Sequence, residues 1–90
     1  MEAYQVRYMN EYNELCNRYK KILNLIRKAE YDELDFTLNC PLELLKEQAD
    51  IMKRYIDILL HRDKYEQVGL KEYNYTIEYG DDYGIYWHSI

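Results

Sequence analysis

The sequence predicts a mainly α-helical protein: an antiparallel two-helix hairpin that assembles into a helical oligomer, followed by a C-terminal β-hairpin. Three observations support this prediction. Apolar residues recur every three or four positions over two long segments, which is typical of amphipathic helices. The acidic segment 30–40 separates them, and after residue 65 the pattern changes to the alternation of a strand. We therefore divide the chain into a helical hairpin domain, 1–64, and a tyrosine-rich C-terminal extension, 65–90.

The first helix is predicted over residues 3–29, where no Gly or Pro interrupts the pattern. Its apolar positions alternate steps of four and three, as in a heptad seam. The seam consists of Tyr8, Tyr12, Leu15, Tyr19, Ile22, Ile26 and Ala29. A second row adjoins it, formed by Met9, Cys16 and Leu23. Two adjoining rows make a face too wide for one partner helix, so we expect contacts beyond the hairpin.

The second helix is predicted over residues 41–64. Asn39 or Cys40 is the expected N-cap, and Pro41 belongs to the first turn, where a missing N–H costs nothing. The seam of this helix consists of Leu42, Leu45, Ala49, Met52, Ile56 and Leu59. A second apolar row consists of Leu44, Ile51, Tyr55 and Ile58. This surplus apolar surface predicts further copies of the chain as partners.

The remaining segments are a connection and a tail. Leu34, Phe36 and Leu38 of the connection are expected to fold back over the open end of the helices. In the tail, Tyr or Ile alternates with other residues from 73 to 79, a turn signal follows at 80–84, and 85–90 can return as a second strand. A two-stranded hairpin is marginal alone, so it should pack on the helices or on a neighbouring subunit.

Composition limits the class of protein. Ninety residues make one domain at most. Cys16 and Cys40 are the two cysteines, and we interpret Cys16 as a buried small hydrophobe, with a disulfide to Cys40 as the open alternative. No signal peptide or membrane-length apolar run is visible. We expect a soluble, cytoplasmic protein without contact to membranes.

Catalytic and metal sites are not indicated. Ser89 is the one serine, His61 and His88 are the two histidines, and no glycine-rich phosphate loop occurs. The two cysteines lack a CxxC partner, and His61 has no Cys or His at a neighbouring helical position, so no zinc pattern forms. We therefore expect no enzyme, no catalytic residue, no cofactor and no metal.

Cations concentrate in the first helix although the chain carries a net charge of -5. Segment 18–28 holds five cations and no acid, and Arg7, Lys21 and Arg62 are the candidates for contacts to an anion. Tyr4 and Tyr8 are the candidates for stacking on a base. The alternative is that the cations are ordinary solvated charges and that Tyr8 packs in the core. Long nucleic acid is disfavoured because an acidic chain repels a polyphosphate backbone.

The helices resemble a family of small helical proteins first noticed in crAss-like phages, which includes the anti-CBASS sponge proteins. In the first helix the resemblance lies in Tyr4-Gln5-Val6-Arg7, Glu11-Tyr12-Asn13-Glu14-Leu15 and Lys21-Ile22. In the second helix it lies in Leu44-Leu45-Lys46-Glu47-Gln48-Ala49-Asp50-Ile51-Met52 and Tyr55-Ile56-Asp57-Ile58-Leu59-Leu60-His61-Arg62. It covers residues 4–62, and these helical motifs are of moderate specificity. The acidic connection and the tail depart from the family pattern.

The resemblance implies a non-catalytic hexamer that sequesters cyclic oligonucleotides made by bacterial immune synthases. It places cyclic dinucleotides between pairs of protomers, at a lysine late in the first helix and an aromatic early in it. It places cyclic trinucleotides near the threefold axis, at an arginine late in the second helix. By motif position Lys21 matches the lysine and Arg62 the arginine. The aromatic position falls near Val6, which Tyr4 and Tyr8 flank.

The resulting hypothesis is a viral immune-evasion protein: a phage sponge that binds cyclic oligonucleotides in the cytoplasm of an infected bacterial host. Its predicted ligand contacts are Tyr4, Arg7, Tyr8, Lys21 and Arg62. The alternative is a non-enzymatic inhibitor or structural accessory that captures a protein partner. In that case the acidic, tyrosine-rich tail would be the recognition surface, because Tyr and Trp are typical interface anchors.

Overall fold

The computed structural model describes residues 1–73, and within that range it contains two helices. Helix α1 spans Ala3–Glu30 and helix α2 spans Leu42–Glu66. Both predicted helices are confirmed, with ends that differ from the prediction by at most two residues. Apart from Tyr73, the predicted β-hairpin lies outside the described residues.

The two helices are antiparallel, as two buried clusters show. The first cluster joins Tyr8, Tyr12 and Cys16 of α1 to Ile56 and Leu59 of α2. The second joins Ile22, Leu23 and Ile26 of α1 to Ala49 of α2. Because early residues of α1 meet late residues of α2, the chain forms the predicted hairpin. The predicted seams supply most of its core, and Cys16 and Leu23 of the second row of α1 supply the rest.

The second apolar row of α2 stays uncovered in one chain. Leu44, Ile51, Tyr55 and Ile58 are 40 to 58% exposed. These four residues form a stripe on α2 that the first helix leaves largely exposed, and we call it the α2 stripe. An exposed apolar stripe of this length is unusual on a monomeric protein unless it serves as a binding surface.

Helix α2 begins one residue later than predicted. The N-cap is Pro41, with φ -61° and ψ 144°, and neither Asn39 nor Cys40 caps the helix. The prediction of an N-cap before Pro41 is therefore wrong. The extended ψ of Pro41 keeps it outside the helix, while its carbonyl accepts a hydrogen bond from the Leu44 N–H at 3.1 Å. Cys16 and Cys40 are both free thiols, and Cys16 is buried as expected.

The connection turns back along the side of α1. Asp32 takes a left-handed conformation, with φ 58°, and the Glu33 N–H donates to the Lys28 carbonyl at 2.8 Å. This turn directs the following residues towards Lys21. Phe36 consequently remains 58% exposed beside α1, and the prediction that it covers the open end of the helices is wrong.

Residues 67–73 form a strap that crosses the start of the hairpin, and we call this segment the C-terminal strap. Val68 and Leu70 pack against the first cluster. The Tyr12 hydroxyl donates to the Lys71 carbonyl at 2.7 Å, and the Tyr73 hydroxyl donates to the Asn13 side chain at 2.9 Å. The first residues of the C-terminal extension thus pack on the helices.

The Asp63 side chain fixes the start of the strap. Its two carboxylate oxygens accept hydrogen bonds from the N–H groups of Val68, Gly69 and Leu70, at 2.8 to 3.1 Å. Gln67, with φ 55°, ends α2 in the left-handed conformation that makes this geometry possible. Desolvation alone would raise the pKa of Asp63, but the three hydrogen bonds together hold that pKa below its usual value.

Candidate functional site

The candidate residues Tyr8 and Arg62 lie against each other near the start of α1. The guanidinium carbon of Arg62 is 4.8 Å from the centre of the Tyr8 ring. This is a cation–π contact. Tyr8 is only 5% exposed, and its hydroxyl donates to the backbone carbonyl of Leu59. The ring of Tyr8 is therefore a support for Arg62 and belongs to the core, which matches the alternative stated for it.

Arg62 is held by a carboxylate of its own helix. Its Nη2 lies 2.9 Å from Oε2 of Glu66, while half of the arginine side chain remains exposed. The hydrogen bond to Glu66 is the main cause of the raised pKa of Arg62. The Glu11 carboxylate also acts on Arg62 and Tyr8. One cation therefore faces two acids here, and any anion that approached the guanidinium would have to displace Glu66.

Burial perturbs the phenol of Tyr8 more than any charge does. Desolvation raises its pKa, the carboxylate of Asp63 adds to the effect, and the guanidinium of Arg62 opposes it. The phenol therefore stays protonated at neutral pH and acts as a hydrogen-bond donor.

Arg7 and Tyr4 remain exposed on α1. Arg7 borders a groove of about 380 Å³ between the two helices. The other residues that line this groove are Asn10, Glu11, Glu14, Leu15, Arg18 and Tyr55. Arg18 is paired with Glu14 at 2.7 Å. Glu11 borders this groove together with Arg7, and its charge also raises the pKa of Arg62. One acid therefore lies close to both Arg7 and Arg62.

Lys21 belongs to a different part of the molecule. It lines a cleft of about 430 Å³ between the later turns of α1 and the connection. The other residues that line the cleft are Asn24, Leu25, Lys28, Glu33, Leu34, Asp35 and Phe36. At 1.5 Å per residue, Lys21 lies roughly 20 Å along α1 from Tyr8. One chain thus brings Tyr8 and Arg62 together but keeps Lys21 apart from them.

The sequence did not lead us to three side chains that the structure places at these sites, namely Glu66, Phe36 and Glu11. The spacing of four between Arg62 and Glu66 is a signal for a helical ion pair, and it predicts this contact. No comparable signal exists for Phe36, because its position depends on the left-handed turn at Asp32. The closeness of Glu11 to Arg62 follows only from the register of the two helices.

Two further properties concern the described part of the chain. Among residues 1–73, no three His, Cys, Asp or Glu side chains lie close enough together to hold a metal ion. Neither α1 nor α2 is long and apolar enough to cross a membrane.

Comparison with known proteins adds one match. The family model described as Sequestin matches residues 2–65, which include both helices almost completely. The family name fits the resemblance to sponge proteins that the helical motifs indicate. No curated protein and no solved structure matches the chain.

Proposed function

The chain belongs to the Sequestin family, and from that premise we propose that it is a phage anti-defence sponge. Its ligands would be cyclic oligonucleotide immune signals, either cyclic dinucleotides or cyclic trinucleotides, which it holds without cleaving them. The family match supports this proposal most strongly, because it spans all five candidate contacts, namely Tyr4, Arg7, Tyr8, Lys21 and Arg62. Sequestration in the cytoplasm of the infected host would keep the signal from its effector.

The side chains suit a compact anion better than a polymer. A single hydrogen bond to Glu66 holds the guanidinium of Arg62. A phosphate can replace Glu66 as the partner and can accept two parallel hydrogen bonds from the guanidinium. Lys21 and Arg7 add exposed cations at separate places. A ligand with two or three phosphates needs only a few such contacts, whereas the acidic chain repels a long nucleic acid.

Assembly would complete the sites. The α2 stripe leaves four large apolar side chains exposed, and we propose that another copy of the chain covers it in a homo-oligomer, as a hexamer. A second chain could then bring its own Tyr4 or Arg62 to the Lys21 of the first. This arrangement would account for candidate residues that one chain keeps roughly 20 Å apart.

Recovery of the bound ligand distinguishes sequestration from cleavage. The protein is mixed with a cyclic dinucleotide, the free ligand is measured in a filtrate, and the complex is then heat-denatured. We expect the ligand to disappear from the filtrate and to return with unchanged mass. A product of different mass would contradict the proposed non-enzymatic mechanism.

The same assay is run with several cyclic oligonucleotides and with a comparator that is not an oligonucleotide. ADP-ribose and its cyclic form contain phosphates and a single base, whereas a cyclic dinucleotide contains two bases. If these bind and every cyclic oligonucleotide fails, the proposed ligand class is wrong while sequestration of a nucleotide signal stands.

Protein capture through the tail is the second candidate function. Tyr65 is 80% exposed, and Tyr73 also remains partly open at the end of the strap. The test is a truncation after Tyr73 that also carries Tyr65→Ala and Tyr73→Ala, because Val68 and Leu70 pack against the first cluster and must be retained. A sponge keeps its ligand after this truncation, whereas a protein-binding inhibitor loses its partner.

A further inference from the structure

The cleft beside Lys21 contains an exposed aromatic ring and two cations. Phe36 lies on the wall that the connection forms, and Lys21 and Lys28 lie on the α1 side. The two lysines are seven residues apart, so they share one side of the helix at about 10 Å separation. Asn24 lies between them, and its amide oxygen accepts a hydrogen bond from Arg27 at 3.0 Å, which directs its NH2 group as a donor for a ligand.

The wall that carries Phe36 is tied to the helix. Three backbone hydrogen bonds close the turn: Tyr31 N–H to the Arg27 carbonyl, Asp32 N–H to the Ala29 carbonyl, and Glu33 N–H to the Lys28 carbonyl. The Glu33 side chain also accepts from Arg27 at 3.3 Å. These bonds fix the connection as far as Glu33, three residues before Phe36, and so they set the direction in which the wall of the cleft leaves α1.

The charges of the cleft favour an anion. Lys21 and Lys28 face Glu33 and Asp35 across it, but Glu33 is already engaged with Arg27. The lining itself carries two cations and two acids, and Arg27, which lies outside the lining, offsets Glu33. A phosphate that enters between the lysines therefore meets two cations, while one of the two acids is already paired.

We propose that this cleft is a nucleotide-binding site formed by a single protomer, in which Phe36 stacks on a base and Lys21 and Lys28 contact a phosphate. The aromatic partner of Lys21 then comes from the connection, and Tyr4 and Tyr8 are not needed for it. That the natural occupant is a cyclic oligonucleotide rests on the proposed function. A cyclic dinucleotide has two bases and would join the clefts of two protomers.

The first experiment is isothermal titration of the full chain with 3′,3′-cyclic GMP–AMP. Phe36→Ala and Lys28→Ala should each weaken binding about tenfold or more, since base stacking and a charged contact are each worth that much. Tyr65→Ala and Lys64→Ala are the matched controls, because both residues are exposed and lie at the opposite end of the hairpin. They should bind as the wild type does.

A second experiment does not depend on the cyclic ligand. Phe36→Trp in a Trp87→Phe background places one indole on the cleft wall, and the protein is titrated with ADP to millimolar concentration. Stacking should quench the indole fluorescence, with one ADP per protomer. Adding Lys21→Ala and Lys28→Ala should abolish the quenching, while Lys64→Ala should not.

The outcomes separate the two proposals. If no cyclic oligonucleotide binds but ADP quenches the indole in a lysine-dependent way, the proposed function fails and the cleft stands. If the wild type binds a cyclic dinucleotide while Phe36→Ala and Lys28→Ala bind equally well, the cleft proposal is overturned and the function stands. If neither ADP nor a cyclic oligonucleotide quenches the indole fluorescence, the cleft proposal is also overturned.

Discussion

The guanidinium of Arg62 lies over the ring of Tyr8, 4.8 Å from its centre, and so two predicted ligand contacts cover each other. The face of the Tyr8 ring that Arg62 covers cannot stack on a base. Half of the Arg62 side chain is exposed, and under the proposed function this is the surface that a ligand would meet first. Tyr8 would then position Arg62, and Arg62 would contact the ligand.

This relationship predicts different effects for two changes at Tyr8. Tyr8→Phe keeps the ring under Arg62 and loses only the hydrogen bond to the Leu59 carbonyl. We expect unchanged ligand affinity and a loss of about 1 kcal/mol in the free energy of unfolding. Urea denaturation and isothermal titration measure the two quantities. A loss of affinity in Tyr8→Phe would instead place the hydroxyl at the ligand.

The ion pair between Arg62 and Glu66 predicts a gain of affinity. Glu66→Gln removes the carboxylate that a phosphate must displace, so a ligand that depends on Arg62 should bind up to about fivefold more tightly. Asp57→Asn is the matched control, because Asp57 pairs with Lys53 at the same spacing of four and lies away from the candidate contacts. Weaker binding in Glu66→Gln would show that Glu66 is needed to orient Arg62.

Asp63 predicts a stability that depends on pH. Its folded pKa is lowered, so its contribution is complete above the unfolded value near 3.8 and is lost as the pH falls through the folded pKa. Asp63→Asn should lower the unfolding temperature at pH 7, and the difference from the wild type should shrink towards pH 2. Equal curves at pH 7 would contradict the role of Asp63 in holding the strap.

The phenols of the core and of half-buried Tyr19 predict how stability changes at high pH. Desolvation raises the pKa of Tyr8, Tyr12 and Tyr19 above the usual value of 10.0. Because the neutral phenol is favoured in the fold, stability is complete below pH 10 and falls as the pH rises through the raised values. Spectrophotometric titration should show phenols that ionise only together with unfolding. Ionisation of every tyrosine near pH 10 without unfolding would contradict the burial.

The α2 stripe predicts an assembly that one charge can disrupt. Ile51→Glu or Ile58→Glu should convert the oligomer to a helical monomer, because a carboxylate cannot be buried in an apolar contact without a partner. His61→Glu, exposed on the same helix but outside the stripe, should leave the mass unchanged. Light scattering after size exclusion measures the mass. A wild-type monomer would contradict the proposed assembly.

The helices and their core could be predicted from the sequence because helical periodicity records which side chains are buried. Tyr8 and Tyr12 fall on the seam and are buried, whereas Tyr4 precedes it and is exposed. The N-cap at Pro41 could not be predicted, since both Pro41 and its predecessors suit the start of a helix. The proximity of Lys21 to Phe36 depends on a left-handed Asp32, a conformation with no strong sequence signal.

The separation of the candidate contacts was only partly predictable. Helical rise alone places Lys21 far from Tyr8, but the contact of Arg62 with Tyr8 depends on the register of the two helices. The C-terminal strap was not predicted either, because three backbone N–H groups hold it on Asp63 and leave no pattern of residue types.

Isothermal titration of the wild-type protein against cyclic di- and trinucleotides, with ligand counted per protomer, tests the central claim most directly. The proposed function predicts sub-micromolar binding of at least one of them. One ligand per two protomers indicates a dinucleotide site, and one per three indicates a trinucleotide site. Absence of binding by every member of the panel would contradict the assignment as a cyclic oligonucleotide sponge.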